Sequence, residues 1–236
     1  MAKKFIKGTE LVQAGYANGI SIQLARAIEK DGPNARLSDA ERSYIIQEAA
    51  KHFGGFLEAL GVDWRADPNS CDTPHRVAKA YVEDLWRGRF EPLTEITAFP
   101  SDGYTGVVQE SNIPMTSMCS HHHQTIGGRV NIAYIPSENG KVVGLSKLNR
   151  IVEHFARRGA IQEQLTVAIH NAVDRICEEN LGVAIMIDAT HNCVSCRGVK
   201  HHGASMQTSK MSGDFLREHS AHLEFYRNIE ISSKWR

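Results

Sequence analysis

The spacing of apolar residues changes twice between positions 127 and 193, and this change constrains the fold more than any other feature of the sequence. Residues 127–136 and 182–193 follow strand patterns, and residues 138–144 suggest a turn with a short extended piece. Residues 146–158 and 161–180 instead place apolar side chains at helical spacing. We therefore predict an α+β fold in which two consecutive helices cover one face of an antiparallel sheet.

A helical region precedes this segment. Ser38 and Glu41 form a capping-box sequence in front of an apolar helical pattern, and residues 73–88 predict a second helix. We place a boundary near residue 97, which gives a helical N-terminal region, residues 1–97, and a second domain, residues 98–236.

Charge and cysteine content restrict the compartment and the partners of the chain. Lys plus Arg and Asp plus Glu number 27 each, so neither a nucleic acid nor a membrane surface is an expected partner. No stretch approaches the roughly 20 apolar residues of a membrane span, and the N-terminal residues have no apolar core of signal-peptide length. We therefore expect a cytoplasmic protein, in which five cysteines do not form a disulfide framework.

The stretch MCSHHHQTIGG, residues 118–128, predicts a metal site. A bend brings Cys119 and His122, three residues apart, to one ion, whereas Cys193 shares a strand face with His191 two residues earlier. The spacing suggests Cys119, His122 and Cys193 as zinc ligands. A fourth position is then open to water, as in catalytic zinc sites. His121 and His191 are left as neighbouring groups that can move protons.

Two other interpretations of the same residues stay open on spacing alone. Cys193 and Cys196 form a Cys-x-x-Cys pair, which with Cys119 and one histidine makes a closed Cys₃His structural zinc site. Alternatively, the histidines lie on a solvated loop and the cysteines belong to the core.

A cluster of positive charge lies at the start of a predicted helix. Lys147 and Arg150 are three residues apart, and Ser146 lies at or near the N-cap, where free N–H groups favour an anion. Arg197 is a further candidate for this anion site, although such charges more often form an ordinary solvated face. Glu163, in the first turn of the next helix, suits a guanine edge or simply favours the helix N-terminus.

Five ordered segments of the chain, spanning roughly residues 40 to 226, together resemble the GTP cyclohydrolase I family. The segments are TPHRVA (73–78), Cys119-Ser120-His121-His122, AYIP (133–136) with GLSKLNRIV (144–152), Gln162-Glu163-Gln164-Leu165-Thr166, and His191-Asn192-Cys193 with Arg197-Gly198.

The resemblance implies a tunnelling fold, with a helical N-terminal region before a catalytic domain over residues 98–236. It also implies a homodecamer of two stacked pentamers, with active sites at subunit interfaces. Zinc is expected on Cys119, His122 and Cys193, which makes Cys196 a bystander.

The implied reaction is the hydrolytic opening of the GTP purine ring at C8. It releases formate and forms 7,8-dihydroneopterin triphosphate for pterin/folate or 7-deazaguanine synthesis. The catalytic residues implied by the family motifs are His121, His191 and Ser146. The implied substrate-binding residues are Lys147, Arg150, Arg197 and Arg76 for the triphosphate, and Glu163 with Gln162 for the guanine.

Several positions depart from the family pattern. Ser120 replaces a glutamate, His123 replaces an apolar or aromatic residue, and Gln164 replaces an arginine. His222 and Leu223 replace an Arg-His pair. These departures keep open a hydrolase of the same fold with another nucleotide substrate, such as dGTP, or with an early-stopping product. A non-catalytic scaffold with a structural Cys₃His zinc stays a separate alternative.

Overall fold

The computed structural model describes residues 37–234, which divide into two compact units between Pro92 and Leu93. Part of the predicted N-terminal region, residues 1–36, lies outside the described residues. The boundary near residue 97 stays a prediction about domains. No helix in the described part of the chain is long and apolar enough to cross a membrane.

The N-terminal unit is helical. It consists of α1 (Asp39–Ala59), α2 (Thr73–Ala80), a π-helical turn (Tyr81–Leu85) and α3 (Arg87–Phe90). The predicted capping box is confirmed, since the Ser38 hydroxyl accepts from the Glu41 N–H and the Glu41 carboxylate accepts from the Ser38 N–H. The buried core of this unit consists of Leu37, Ile46, Ala78, Val82 and Phe90.

The prediction of one helix over residues 73–88 is wrong in its second half. The Trp86 N–H donates to the Tyr81 carbonyl at 2.8 Å, which is the wider hydrogen-bond spacing of a π-helix. The same two side chains meet edge to face, with ring centroids 5.3 Å apart. Periodicity does not reveal such a turn, because one inserted residue leaves most of the apolar spacing intact.

The second unit contains two antiparallel sheets. Its strands are β1 (Ala98–Pro100), β2 (Val108–Met118), β3 (Thr125–Pro136), β4 (Lys141–Val143), β5 (Asn180–His191) and β6 (Ser205–Met211). Its helices are α4 (Leu145–Ala156), α5 (Gln162–Ile176), α6 (Asn192–Ser195), α7 (Asp214–Arg217) and α8 (His219–Ser233). The larger sheet has the order β2-β3-β5-β6, and β1 pairs with β4.

Helices α4 and α5 pack on one face of the larger sheet, as the sequence predicts. Val130, Ile132 and Tyr134 alternate along β3 and lie in the same buried cluster as Ile151 of α4 and Ile169 of α5. Fully burying one such side chain contributes about 1.5–3 kcal/mol. Burial of the apolar face of α4 and of α5 is therefore the main interaction that holds these two helices on the sheet.

A second layer covers the other face of the sheet, which the sequence prediction missed. Ala133 and Ile135 of β3 point away from α4 and α5 and lie in a cluster with Phe215 of α7 and Phe225 of α8. The predicted picture of two helices on one face is therefore incomplete, because β3 is buried on both faces over this stretch.

Strand β2 is a further element that the apolar pattern did not indicate. Its register with β3 shifts between Glu110 and Ile113, and Asn112 has a φ of 63°. The Asn112 N–H donates to the Asn131 side-chain oxygen at 2.9 Å, which replaces a ladder hydrogen bond at the bulge. Polar residues at this bulge interrupt the alternation that identifies a strand.

His170 of α5 predicts a pH dependence of stability. Its side chain is buried and its Nε2 lies 3.1 Å from the Ser212 hydroxyl. Burial is the main effect that lowers the pKa of His170 below 6.5, and nearby Lys210 lowers it further, although Asn171 and Asp174 act in the opposite direction. The unfolded chain therefore binds a proton more readily than the folded protein does.

This contribution to stability is complete above about pH 6.5 and is lost as the pH falls through the lowered pKa of His170. We expect the urea midpoint of the wild-type protein to fall between about pH 7 and pH 5 by more than that of His170→Gln. Equal slopes for the two proteins would show that His170 makes no such contribution.

Candidate active site

Strand order brings two cysteines that are distant in sequence to the same end of the sheet, where strand termini meet. Strands β2 and β5 both run antiparallel to β3, so their C-terminal ends lie together. Cys119 follows β2 directly, and Cys193 is the second residue after β5. The position of both thiols is therefore a consequence of strand pairing across a separation of 74 residues.

A tight loop between β2 and β3 adds the third candidate ligand. The Cys119 N–H donates to the Gln124 carbonyl at 2.8 Å, and the His123 N–H donates to the Cys119 carbonyl at 2.9 Å. His123 has a φ of 51°, a left-handed conformation that turns the chain sharply after His122. One ligand atom each from Cys119, His122 and Cys193 lies within 4.8 Å of the other two.

The predicted reason for this convergence is wrong in one respect. Strand β5 ends at His191, and Cys193 lies in the helical turn α6 (Asn192–Ser195) rather than in the strand. His191 and Cys193 therefore do not share a strand face. The turn is attached to β3 by the Asn192 side-chain amide, which donates to the Thr125 hydroxyl at 2.6 Å.

The ligand group is buried on one side and open on the other. Cys119 is buried, Cys193 is half-buried and His122 is exposed. Burial, and then the neighbouring Cys119 thiol 4.0 Å away, raises the pKa of Cys193. The raised pKa keeps the Cys193 thiol protonated unless a cation stabilises its thiolate, so metal binding by Cys193 releases a proton.

Cys196 is not part of the ligand group. Its thiol lies 2.6 Å from the Asn192 carbonyl oxygen and 3.5 Å from the Gln124 side-chain oxygen. Within residues 37–234, the atoms that converge are two thiols and one imidazole, not the three thiols of a closed Cys₃His set. The candidate ligand group of the described residues is therefore a Cys₂His set.

Two further histidines flank this group. The His121 side chain is exposed, and its ring centroid lies 6.2 Å from that of His122. His191 is partly buried, and burial lowers its pKa while the charge of Glu163 raises it. His191 Nε2 lies 2.7 Å from Gln162 Oε1. The structure thus brings Gln162 and Glu163, the first two residues of α5, close to His191 at the C-terminal end of β5.

The residues predicted to bind phosphate lie on exposed or half-exposed surface. Helix α4 begins at Leu145, with Gly144 at the N-cap and no side-chain cap, so Ser146 lies inside the first turn. Ser146 and Arg150 are exposed and Lys147 is half-buried. Arg197 is exposed, two residues beyond α6.

Arg76 has a different setting. It belongs to the N-terminal unit, on α2, and forms an ion pair with Asp72 at 3.3 Å. Both side chains are about two-thirds exposed, so this pair contributes little to stability.

The sequence prediction missed two hydrogen-bonded pairs of polar residues that connect these elements. Thr166 and Thr208 share a hydrogen bond of 2.7 Å between α5 and β6, and Asn149 of α4 donates to Glu110 of β2 at 2.6 Å. Thr166 occurs in the motif quoted above, but its partner lies on β6, which no apolar pattern predicted. Sequence spacing therefore gave no signal for these contacts.

The fold and the site define a class of protein: an α+β protein with a candidate Cys-His-Cys metal centre at the edge of a helix-backed antiparallel sheet. The family model for GTP cyclohydrolase I matches residues 49–230. The chain therefore belongs to the GTP cyclohydrolase I family, which confirms the resemblance drawn from the five motifs, and it is an enzyme of that family.

Individual relatives agree with the family match, and each of the three described here is called GTP cyclohydrolase 1. The protein of Haemophilus ducreyi is 39% identical over 193 residues, which cover 81% of this chain and 85% of the relative. That of Pseudoalteromonas translucida is 43% identical over 188 residues, covering 78% and 98%. That of Photobacterium profundum is 38% identical over 213 residues, covering 89% and 96%.

One solved structure shows a weak likeness. The apo form of an archaeosine synthase QueF-like protein matches 45% of this chain and 93% of its own, with 17% identity and a TM-score of 0.37.

Proposed function

We propose that the chain is a zinc-dependent GTP cyclohydrolase. It opens the purine ring of GTP at C8, releases formate and forms 7,8-dihydroneopterin triphosphate for pterin/folate or 7-deazaguanine synthesis. The observation that carries the proposal is the convergence of Cys119, His122 and Cys193 within 4.8 Å, with Cys196 bonded elsewhere. The relatives' names support GTP as the substrate.

The donor set fits zinc. Thiolate and imidazole ligands suit Zn²⁺, whereas Mg²⁺ and Ca²⁺ take oxygen ligands. Cys119 and Cys193 would hold the ion from the buried side and His122 from the exposed side. Bound zinc would supply a Lewis acid that makes water nucleophilic near neutral pH.

Two histidines supply proton transfer in this proposal. His121, exposed beside His122, acts as general acid and base at the imidazole nitrogens of the purine while that ring opens. His191, the last residue of β5, assists proton transfer during formate release and ribose opening. Ser146, in the first turn of α4, participates near the ribose.

The triphosphate and the guanine are held by different groups. Lys147, Arg150 and Arg197 bind the triphosphate, with Arg76 a weaker candidate. The uncapped N–H groups at the start of α4 support an anion there. Glu163, exposed in the first turn of α5, accepts N–H donors from the guanine edge. Gln162 lies beside it, but its side-chain amide is already bonded within the protein.

Removing one phosphate-binding charge tests this assignment. We expect Lys147→Ala or Arg150→Ala to weaken GTP binding about tenfold or more, because a charge-assisted hydrogen bond is worth about 1.5–3 kcal/mol. Guanosine binding, measured by calorimetry beside GTP binding, should stay unchanged. The matched control is Lys141→Ala, whose amine pairs with Glu178. Equal losses for GTP and guanosine would contradict a triphosphate role.

The proposal includes the tunnelling fold and the homodecamer of two pentamers, with active sites at subunit interfaces. Within the described part of the chain, β2 and β6 each pair on one side only. Open strand edges need a cover, and pairing between neighbouring copies in a ring would supply it. Sedimentation equilibrium of the full chain tests this, and a monomer at micromolar concentration would contradict it. A cytoplasmic location stays a prediction.

The test of the function is GTP turnover by the purified protein, with formate and pterin fluorescence read together. We expect both products, their loss on chelation and their return with added zinc. Zinc retained without GTP turnover would contradict the proposal and would point to Ser120, which replaces the glutamate of the family motif, as the mark of another substrate. A parallel assay with dGTP distinguishes that case.

A further inference from the structure

The side chain of Gln162 is a fully buried polar group with an unusual number of partners. It has 0% exposure at the first residue of α5. Its Nε2 lies 3.2 Å from the Ile187 carbonyl oxygen, 2.9 Å from the Met206 carbonyl oxygen and 3.1 Å from the Thr208 hydroxyl. One amide thus joins α5 to the two strands β5 and β6.

These partners determine which way the amide faces. The carbonyl oxygens of Ile187 and Met206 only accept hydrogen bonds, so the atom that faces them must be the NH₂ group of Gln162. The opposite orientation would place an oxygen against two buried carbonyl oxygens, with no donor between them. The amide orientation therefore follows from the chemistry of its surroundings.

The neighbouring hydroxyls agree with this orientation. The Thr166 hydroxyl donates to the backbone carbonyl of Gln162 at 2.9 Å and so accepts from Thr208 at 2.7 Å. Thr208 has then used its one proton and accepts from Gln162 Nε2 at 3.1 Å. Each hydrogen bond in the series Gln162, Thr208, Thr166 thus has one permitted direction.

The orientation of the amide fixes the proton of His191. Gln162 Oε1 faces His191 Nε2 at 2.7 Å, and an amide oxygen only accepts. His191 Nε2 must therefore carry the hydrogen. In a neutral ring the lone pair is then on Nδ1, because the two nitrogens of a neutral imidazole divide the roles of donor and acceptor.

We propose that Gln162 is a positioning residue that holds His191 in the Nε2–H tautomer, so that Nδ1 is the nitrogen that exchanges a proton with the substrate. This inference rests on the proposed function of His191 in GTP ring opening. It gives Gln162 a role different from reading the guanine edge, because its amide groups are committed to Ile187, Met206, Thr208 and His191.

The decisive variant is Gln162→Met, which keeps the length and volume of the side chain but removes the amide. We expect kcat to fall about tenfold or more, within the range that lost general acid–base catalysis and a wrong tautomer cost. KM for GTP and the zinc content should stay unchanged. The matched control is Gln164→Met, two residues along the same helix with an exposed side chain, which should leave both kinetic constants unchanged.

The split between KM and kcat separates the alternatives. A guanine-reading Gln162 predicts a rise in KM with kcat preserved, and that result would overturn the proposal. A merely structural Gln162 predicts that zinc content, thermal midpoint and kcat fall together, which would also overturn it.

A second measurement needs neither a folded Gln162 variant nor turnover. Solid-state NMR of wild-type protein with ¹⁵N-labelled histidine reports which ring nitrogen carries the proton, and His191→Asn identifies the His191 signals by their loss. We expect a protonated Nε2 and an unprotonated Nδ1, and the reverse pattern would overturn the proposal. If the wild-type protein showed this tautomer but did not turn over GTP, the proposed function would be wrong. The inference that Gln162 holds His191 in this tautomer would still stand.

Discussion

Cys193→Ala should lose its bound zinc and its GTP turnover, whereas Cys196→Ala should keep both. The first change leaves only Cys119 and His122 in the ligand group. Structural sites with a full set of thiolate and imidazole ligands bind zinc with a free energy of about 10–16 kcal/mol. Because the ligands share this free energy, loss of one of three should release most of the zinc during purification. The second change removes a thiol that is bonded to the Asn192 carbonyl and the Gln124 side chain instead.

Metal per chain after gel filtration, measured by mass spectrometry beside GTP turnover, checks both variants. Cys71→Ala is a suitable control, because Cys71 is an exposed thiol on the helical N-terminal unit. Release of zinc by both Cys196→Ala and Cys193→Ala would favour the closed structural site, in which both thiols are ligands, over the open one.

His121→Ala should keep its zinc and lose turnover about 10²- to 10⁴-fold, the usual contribution of a general acid–base group. The side chain lies beside His122, with ring centroids 6.2 Å apart, but it is not part of the Cys-His-Cys group. Its removal should therefore separate proton transfer from metal retention.

Zinc content and single-turnover formate release check the His121 result. His202→Ala is the matched control, because it removes an exposed histidine from the loop after α6. A His121→Ala enzyme with wild-type turnover would show that another group moves the proton.

Helices with strong local signals were predictable from the sequence. Ser38 and Glu41 cap α1 as predicted, and α4 and α5 pack their apolar stripes onto the sheet. These elements follow from the spacing of side chains within one or two helical turns, and this spacing can be read from a short segment of the sequence. The family motifs added the identity of the candidate ligands, since residue types at a metal site are restricted by donor chemistry.

Elements that depend on distant partners were not predictable in the same way. Strand β2 contains polar residues around its bulge, and β6 alternates between exposed and half-buried residues without a strong apolar face. Helix α8 follows a region for which no element was predicted, and it covers β3 through a cluster in which Phe225 lies with Ala133 and Ile135. Burial of both sheet faces is a property of the assembled layers.

By itself, the sequence indicated the donor types of the candidate metal centre, thiolate and imidazole, and the two helices behind the sheet, because both depend on residue type and short spacing. Only the tertiary structure decided that Cys193, in a helical turn, joins Cys119 while Cys196 does not. It also decided that Gln162 faces His191, 29 residues away along the chain. The physical reason is that both outcomes depend on hydrogen bonds and strand pairings between segments far apart in sequence, whose register no local spacing encodes.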